Sequence, residues 1–144
     1  MTPVADNQKL LSYADDILQA LKHCHQTGIV HADIKLENIL KQSPDVEEEY
    51  DIAKLCDFGL SGKLASDGKL QMARVGTMGY MAPELGKGPV DQSIDMFSFG
   101  VVLYELLTGS LPHDPHKLRE AGWLGMMKIL REEEPKKPST QVST

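Results

Sequence analysis

The sequence predicts a mainly α-helical domain with small β elements, an α+β fold class. Three long segments have apolar residues at helical spacing: residues 7–26, 94–108 and 116–130. Only short β-prone runs lie between the first two of them: residues 29–30, 38–40 and 52–56. We see no internal repeat, so one domain with a single core is expected at a length of 144 residues.

The first predicted helix has one apolar and one polar face. Its apolar positions are Leu10, Leu11, Ala14, Ile17, Leu18, Leu21 and Cys24. We expect the helix to end at about Gln26, because Gly28 follows as a stop signal. Ile29 and Val30 then form a short extended run, and residues 41–51 form a polar loop between two strands.

The segment 94–108 differs from the first helix because its apolar side chains surround the helical wheel. A helix of that kind packs at the centre of a domain. Gly109 and Pro112 end it, and a further helix is predicted at 116–130. The segment 59–79 is rich in Gly, Ser and Lys without periodicity, and a loop of that length implies a functional reason.

Charge and cysteine content exclude several classes of function. The chain has 15 Lys and Arg against 21 Asp and Glu, a net charge of −6, and its basic residues are scattered, so no nucleic-acid partner is expected. Cys24 and Cys56 lack the spacing of a disulfide scaffold or a zinc site. His23 and His25 flank Cys24 on different helix faces, so no metal site is predicted there. The apolar stretch 96–107 is too short to span a bilayer and no leader is visible, so we expect no membrane partner and cytoplasmic or nuclear residence.

Three motifs in a fixed order carry the chemistry. Residues 31–38 read His-Ala-Asp-Ile-Lys-Leu-Glu-Asn, residues 57–59 read Asp-Phe-Gly, and residues 76–84 read Gly-Thr-Met-Gly-Tyr-Met-Ala-Pro-Glu. Asp95 follows at the start of the central helix. In this order the motifs resemble the C-terminal lobe of a eukaryotic-type protein Ser/Thr kinase, and the resemblance runs from about residue 10 to about residue 130.

The resemblance implies roles for individual residues. Asp33 is the expected catalytic base for an incoming hydroxyl, and Lys35 is expected to meet the terminal phosphate of ATP. Asn38 and Asp57 are the expected metal ligands, because side-chain oxygens suit Mg²⁺. In this family, the Asp at position 95 holds the catalytic loop through backbone amides.

The implied cofactors are therefore ATP and Mg²⁺, and the implied partner is a protein substrate. Lys35 belongs to the ATP side as well as to the catalytic set. Glu37 and Leu40 are also expected on the cofactor side, and Leu40 by its position forms the floor beneath adenine.

The pair Lys35 and Thr77 bears on the acceptor. In the Ser/Thr branch of the family these two residues hydrogen-bond around the acceptor hydroxyl, so Thr77 joins the expected catalytic set. A small-molecule phosphotransferase can share the first motif, but it would not be expected to carry the loop 76–84. Ala32 replaces the usual Arg, so we expect control by loop phosphorylation to be weak or absent.

Some parts of a complete kinase domain have no counterpart in this sequence. No Gly-rich loop and no lysine strand precede Asp33, so we expect residues 1–134 to be a partial catalytic domain, the C-lobe, with the N-lobe absent. Residues 135–144 are expected to be a polar, disordered tail. Leu40 would then face solvent unless the missing lobe or another partner covers the ATP face, and the isolated chain would be inactive. The alternative is a pseudokinase-like interaction or regulatory module without turnover.

Overall fold

Helices and short strands alternate along the chain. The computed structural model describes residues 3–43, 51–72 and 76–141, with side chains from residue 7 onward. The elements are α1 (Pro3–Gln26), β1 (Ile29–Val30), a 3₁₀ turn (Leu36–Asn38), β2 (Ile39–Gln42), β3 (Ile52–Leu55), β4 (Gly62–Lys63), α2 (Ser93–Thr108), α3 (Pro115–Glu120), α4 (Gly122–Glu132) and α5 (Pro138–Gln141). The predicted mainly helical fold with small β elements is confirmed.

Helix α1 ends where the sequence predicts and begins four residues earlier, at Pro3. Its inner face buries Ile17, Leu21 and Cys24, while Leu11 points away from the core. The Thr27 hydroxyl donates to the Cys24 carbonyl at 2.8 Å, which satisfies one of the free carbonyls of the last turn. Gly28, with φ of 76°, then turns the chain into β1.

The strands form two small antiparallel sheets, one from β1 and β4 and one from β2 and β3. Both ends of β2 differ from the prediction. Asn38 lies in the 3₁₀ turn rather than in a strand, and Lys41 and Gln42 belong to β2 rather than to a loop. Strand β4 lies where the sequence predicts a loop, and a bridge joins Leu70 of that loop to Val90, for which no element was predicted. Neither was predicted, because the pairing partners are distant in sequence. Residues 44–50 of the predicted loop, with the acidic residues 47–49, lie outside the described residues.

Helix α2 lies between two groups of buried side chains. Ile94 belongs to a group formed with β1, the loop 81–90, α3 and α4, whereas Phe99 and Val102 belong to a group formed with α1 and β3. The helix is central, as expected, but it is not buried on every side, because Met96 and Leu107 are exposed. Gly109 has a left-handed backbone and ends the helix as predicted.

The helix predicted at 116–130 is divided into α3 and α4. Gly122, with φ of 66°, breaks it, because the left-handed backbone cannot continue an α-helix. Asp114 caps α3 by accepting a hydrogen bond from the His116 amide at 2.9 Å. The buried apolar side chains of the two helices are Leu118, Met126, Met127 and Ile129.

The described part of the tail ends at Gln141. It contains α5, and the Tyr104 hydroxyl donates to the Lys136 carbonyl at 2.7 Å. This bond holds the chain before α5 against α2. No helix within the described ranges is long and apolar enough to cross a membrane.

Asp51 joins α1 to the β2–β3 sheet. Its carboxylate contacts the Lys41 ammonium at 2.7 Å and the Lys9 ammonium at 2.9 Å, and it accepts a hydrogen bond from the Tyr13 hydroxyl at 3.1 Å. These partners, Lys41 first, hold the pKa of the Asp51 carboxyl well below its ordinary range. Next to it, Asp16 accepts a hydrogen bond from the Ala53 amide at 2.9 Å.

A matched pair of substitutions tests the packing of α1. Leu21 is 1% exposed and Leu11 is 70% exposed on the same helix. Leu21→Ala should lower the free energy of unfolding by about 3 kcal/mol through lost burial and a cavity. Leu11→Ala should change it by less than about 0.5 kcal/mol. Urea unfolding followed by circular dichroism measures both, and equal effects would contradict the assigned inner face.

Asp51 should contribute to the acid sensitivity of the fold. A carboxyl with a lowered pKa stabilises the folded state above its unfolded pKa of about 3.9, and this stabilisation is lost as the pH falls. Thermal midpoints of the unsubstituted chain and Asp51→Asn should therefore differ at neutral pH. The difference should shrink as the pH falls from about 5 towards about 2. A difference that stays constant across this range would show that the Asp51 charge has no such role.

Candidate active site

Asp33 lies between β1 and the 3₁₀ turn, and its side chain is almost fully buried. Its Oδ1 accepts a hydrogen bond from the Thr77 hydroxyl at 2.8 Å. Thr77 Oγ1 in turn accepts one from Lys35 Nζ at 2.8 Å, and the same ammonium lies 3.6 Å from Asp33 Oδ2. The Thr77 hydroxyl thus links Lys35 and Asp33, which lie 42 and 44 positions before it in the sequence. It accepts a hydrogen bond from the lysine and donates one to the carboxylate.

Asn38 is buried and holds Asp33 from the other side. Its Nδ2 donates to the Asp33 carbonyl at 2.8 Å and to Asp33 Oδ2 at 3.2 Å. Since both amide hydrogens are directed at Asp33, the side-chain oxygen of Asn38 is turned away from it. That oxygen is the atom that a hard divalent cation would require.

Asp57 lies two residues after the end of β3 and is exposed. The Cys56 amide donates to the Asn38 carbonyl at 2.9 Å. Because Asp57 is the next residue after Cys56, this backbone hydrogen bond holds Asp57 near Asn38. Asp57 has a left-handed backbone, φ of 58°, and its Oδ1 accepts a hydrogen bond from the Gly59 amide at 3.2 Å. The other carboxylate oxygen of Asp57 and the side-chain oxygen of Asn38 are the kinds of ligand atom that suit Mg²⁺. Within the described ranges, no group of three or more His, Cys, Asp or Glu side chains is arranged to hold a metal ion.

Asp95, at the start of α2, binds the backbone of the loop that carries Asp33. The two oxygens of this fully buried carboxylate accept hydrogen bonds from the His31 and Ala32 amides, each at 2.8 Å. Ala32 has a φ of 67°, which is unfavourable for a residue with a side chain. The two amide bonds therefore stabilise a strained backbone immediately before the candidate base.

His31 links this loop to the Asp-Phe-Gly segment. Its Nδ1 accepts a hydrogen bond from the Asp33 amide at 3.2 Å, and its Nε2 lies 2.9 Å from the Cys56 carbonyl. This pattern requires the proton on Nε2, which then donates to the carbonyl. The ring also meets the Phe58 ring edge-to-face, with centroids 4.7 Å apart.

A second polar pair supports the loop that carries Thr77. The Tyr80 hydroxyl donates to the Glu105 carboxylate of α2. Burial first, and then the Glu105 carboxylate, raise the pKa of Tyr80 above its ordinary value. The Ser98 hydroxyl donates to the Tyr80 carbonyl at 2.6 Å. Through these bonds, helix α2 holds both the loop with Asp33 and the loop with Thr77.

The predicted site residues fall into two groups. The structure brings Asp33, Lys35, Asn38 and Thr77 into direct contact, with Asp57 adjacent through the backbone. Among the described residues, Glu37 and Leu40 are exposed and form no hydrogen bond or ion pair with that group, although the Glu37 charge acts on Tyr80. Their expected place on the cofactor side stays a prediction.

Sequence reasoning missed His25, whose Nε2 lies 2.8 Å from Asp95 Oδ2. A signal was present, because His25 follows the buried Leu21 by one helical turn and therefore lies on the inner face of α1. It also missed the Tyr80 and Glu105 pair, for which spacing along the chain offers no signal.

Comparison with known proteins places the chain in a family. Residues 2–143 match the model of the protein kinase domain. A probable serine/threonine-protein kinase of Clostridium acetobutylicum is 40% identical over 109 residues, which cover 74% of this chain and 16% of the relative. The alpha chain of calcium/calmodulin-dependent protein kinase type II of Drosophila melanogaster is 42% identical over 106 residues, which cover 71% of this chain and 19% of the relative. A serine/threonine-protein kinase of Arabidopsis thaliana is 36% identical over 107 residues, 74% of this chain and 18% of the relative.

The chain therefore belongs to the protein kinase family, and the resemblance to eukaryotic-type protein Ser/Thr kinases is confirmed. It spans less than a fifth of the length of these three relatives.

Proposed function

We propose that the chain carries the catalytic and substrate-docking half of a protein Ser/Thr kinase, which transfers the γ-phosphoryl group of ATP to a Ser or Thr hydroxyl of a protein. Family membership supports the reaction class. The observation that carries the finer proposal is the polar chain from Lys35 through the Thr77 hydroxyl to Asp33. An acceptor hydroxyl that enters this site finds a carboxylate and an ammonium already oriented.

Asp33 is proposed as the group that accepts the proton of the incoming hydroxyl. Its carboxylate is oriented by three side chains, Thr77, Asn38 and Lys35, so little reorganisation is needed when a substrate binds. The Lys35 ammonium would lie near the position of the phosphate charge. Thr77 ties the docking loop to the base, which supports Ser or Thr rather than a small molecule as the acceptor.

The family generally uses ATP with Mg²⁺, and the donor atoms of Asn38 and Asp57 fit this cation. Mg²⁺ bound there would neutralise phosphate charge. The exposure of Asp57 leaves its carboxylate accessible to a cofactor without any rearrangement of the buried residues.

We assign residues 1–134 to the C-terminal lobe of the kinase domain, with residues from 135 as a short tail. Leu40 is 55% exposed and Phe58 is 43% exposed. The family resemblance implies a position beneath adenine for Leu40, and an exposed apolar patch at that position would mark a surface that another body covers. An N-terminal lobe or a partner in its place would cover them and complete the nucleotide site.

Phosphoryl transfer by the longest native polypeptide that contains these residues tests the proposed function. With Mg-ATP it should phosphorylate Ser or Thr in a basic generic substrate, as phosphoamino-acid analysis would show. Asp33→Asn should lower kcat at least about a hundredfold, because it removes the base and keeps the shape. Thr77→Val should lower kcat about tenfold by deleting the bridging hydroxyl, and the matched Thr77→Ser should stay within about threefold of the unsubstituted protein.

Transfer to tyrosine or to a small molecule would contradict the acceptor assignment. No transfer at all, from a polypeptide that binds Mg-ATP, would favour the pseudokinase-like interaction module over the enzyme.

The 144-residue chain by itself should show no transfer under the same conditions. It lacks a Gly-rich loop and a lysine strand to orient the phosphates, and orientation provides much of the rate enhancement. Filter-binding with radiolabelled ATP measures this, and the Asp33→Asn chain serves as the blank. Turnover that disappears in the blank would show that the described residues suffice for catalysis.

A further inference from the structure

The segment that leads to Thr77 is attached to the chain just before α2 by a backbone bridge. The Leu70 amide donates to the Val90 carbonyl at 2.8 Å, and the Val90 amide donates to the Leu70 carbonyl at 2.9 Å. Val90 is buried, and Leu70 packs against the apolar group to which Val90 belongs. Two reciprocal hydrogen bonds over an apolar contact fix the direction and the register of the segment at this point.

An ion pair lies beside the bridge, between the residues next to Leu70 and Val90. The Lys69 ammonium donates to Asp91 Oδ2 at 2.7 Å. The other oxygen, Asp91 Oδ1, accepts a hydrogen bond at 2.9 Å from the amide of Ser93, the first residue of α2. Lys69 first, and then Ser93, hold the pKa of the Asp91 carboxyl well below its ordinary range. One carboxylate thus connects the segment with the start of α2.

The backbone at Lys69 is ordered by its own turn. The Ala65 amide donates to the Lys69 carbonyl at 2.8 Å, which closes the turn before the bridge. Beyond the turn, the Leu70 side chain lies against Gly62 of β4, where a Cβ atom would come within 2.5 Å of it. Lys69 is therefore held on both sides before its side chain meets Asp91, so the ion pair requires little further ordering of the backbone.

The apolar group under the bridge also holds the chain on both sides of Thr77. Met72 precedes Thr77 and Met78 follows it, and both pack against the buried group that contains Val90. The Tyr80 amide donates to the Thr77 carbonyl at 3.0 Å and closes the next turn. A shift at the bridge would therefore move the chain around Thr77, whose hydroxyl contacts the candidate base.

We propose that the Lys69–Asp91 ion pair is a latch that positions Thr77 for catalysis without a phosphate on the segment. Ala32 provides no guanidinium for such a phosphate, and the Lys69 ammonium binds a carboxylate of the chain itself. Within the described ranges Lys69 forms no hydrogen bond or ion pair with Asp33, so it is a positioning residue. This inference rests on the proposed function only in its catalytic consequence, because the attachment of the segment can be measured without turnover.

Four substitutions test the latch. Lys69→Met removes the ammonium and keeps a long side chain, whereas Lys69→Arg keeps a cation. Asp91→Asn removes the charge, while its side-chain oxygen can still accept from the Ser93 amide. Lys63→Met is the matched control, because Lys63 is an exposed lysine of the same segment that forms no ion pair with the other described residues.

Amide hydrogen exchange on the 144-residue chain measures the attachment. The reporters are the two amides of the bridge and the Tyr80 amide, which donates to the Thr77 carbonyl. Because both side chains of the ion pair are partly exposed, Lys69→Met and Asp91→Asn should each accelerate exchange at the reporters only about threefold. The double variant should accelerate it no further, because both changes delete one contact. Lys69→Arg and Lys63→Met should stay within about 1.5-fold of the unsubstituted chain.

Four results would overturn the proposal. Unchanged bridge amides in the Lys69→Met chain would show that the ion pair holds nothing. Faster bridge amides with an unchanged Tyr80 amide would separate the bridge from Thr77. Equal acceleration of the Ala53 amide, which Asp16 holds in another part of the fold, would mean a general loss of stability. Additive effects in the double variant would show that the two side chains act independently.

Kinetics on the longest native polypeptide, after phosphatase treatment and removal of the phosphatase, measure the catalytic half. Lys69→Met should lower kcat about threefold with the KM for ATP within about twofold, and Lys69→Arg should recover kcat. An unchanged kcat despite faster exchange would contradict the positioning role. Loss of kcat on phosphatase treatment would show that a phosphate, rather than the ion pair, positions Thr77. If the untreated, unsubstituted polypeptide transfers no phosphate, the proposed function fails, and the exchange measurements still decide the role of the latch.

Discussion

The Asp95 carboxylate is the constraint on which the arrangement of the site depends. It is fully buried at the start of the central helix α2. It accepts hydrogen bonds from two successive amides of the loop that carries Asp33. Burial of a charge costs several kcal/mol unless hydrogen bonds compensate, and a left-handed alanine costs about 1–2 kcal/mol more. Both costs occur where Asp95 binds the loop, immediately before the candidate base Asp33 in the sequence. Strain of this kind persists only where the surrounding structure holds it from several sides.

Helix α2 is the common support of the parts that must meet. Asp95 holds the loop of Asp33, while Ser98 and Glu105 hold Tyr80 in the loop of Thr77. Two loops more than forty residues apart in sequence are thereby fixed relative to one helix. The Thr77 hydroxyl then joins them directly through its bond to Asp33. A rigid support of this kind is what phosphoryl transfer requires, because the reaction depends on position and charge more than on covalent chemistry.

The surfaces of the chain differ in what they leave exposed. The catalytic group around Asp33 is buried and internally hydrogen-bonded, whereas Asp57, Leu40 and Phe58 are accessible. Of the residues proposed for the nucleotide and metal site, Asn38 is buried, whereas Asp57, Leu40 and Phe58 are exposed. This contrast supports the proposal of a C-terminal lobe that carries the base and the acceptor site and shares the nucleotide site with an N-terminal lobe or a partner protein.

The sequence by itself determined the helical class and the family, and it predicted the candidate site residues. Helical periodicity predicted the end of α1 and the bounds of α2 to within a residue, because these depend on local signals such as Gly28 and Gly109. The motifs with Asp33, Asn38 and Asp57 were found because fixed chemistry demands fixed residue types at short spacing.

Only the tertiary structure decided how those residues are held. The pairing of β1 with β4 and the contacts of Asp95 with His25 and of Tyr80 with Glu105 join residues 25 to 70 positions apart, so no local pattern specifies them. The division of α3 from α4 was missed for a different reason. Gly122 lies inside a regular apolar pattern, and its left-handed backbone is set by packing rather than by its immediate neighbours. Long-range burial of polar groups, the feature that orients Asp33, is a property of the folded chain alone.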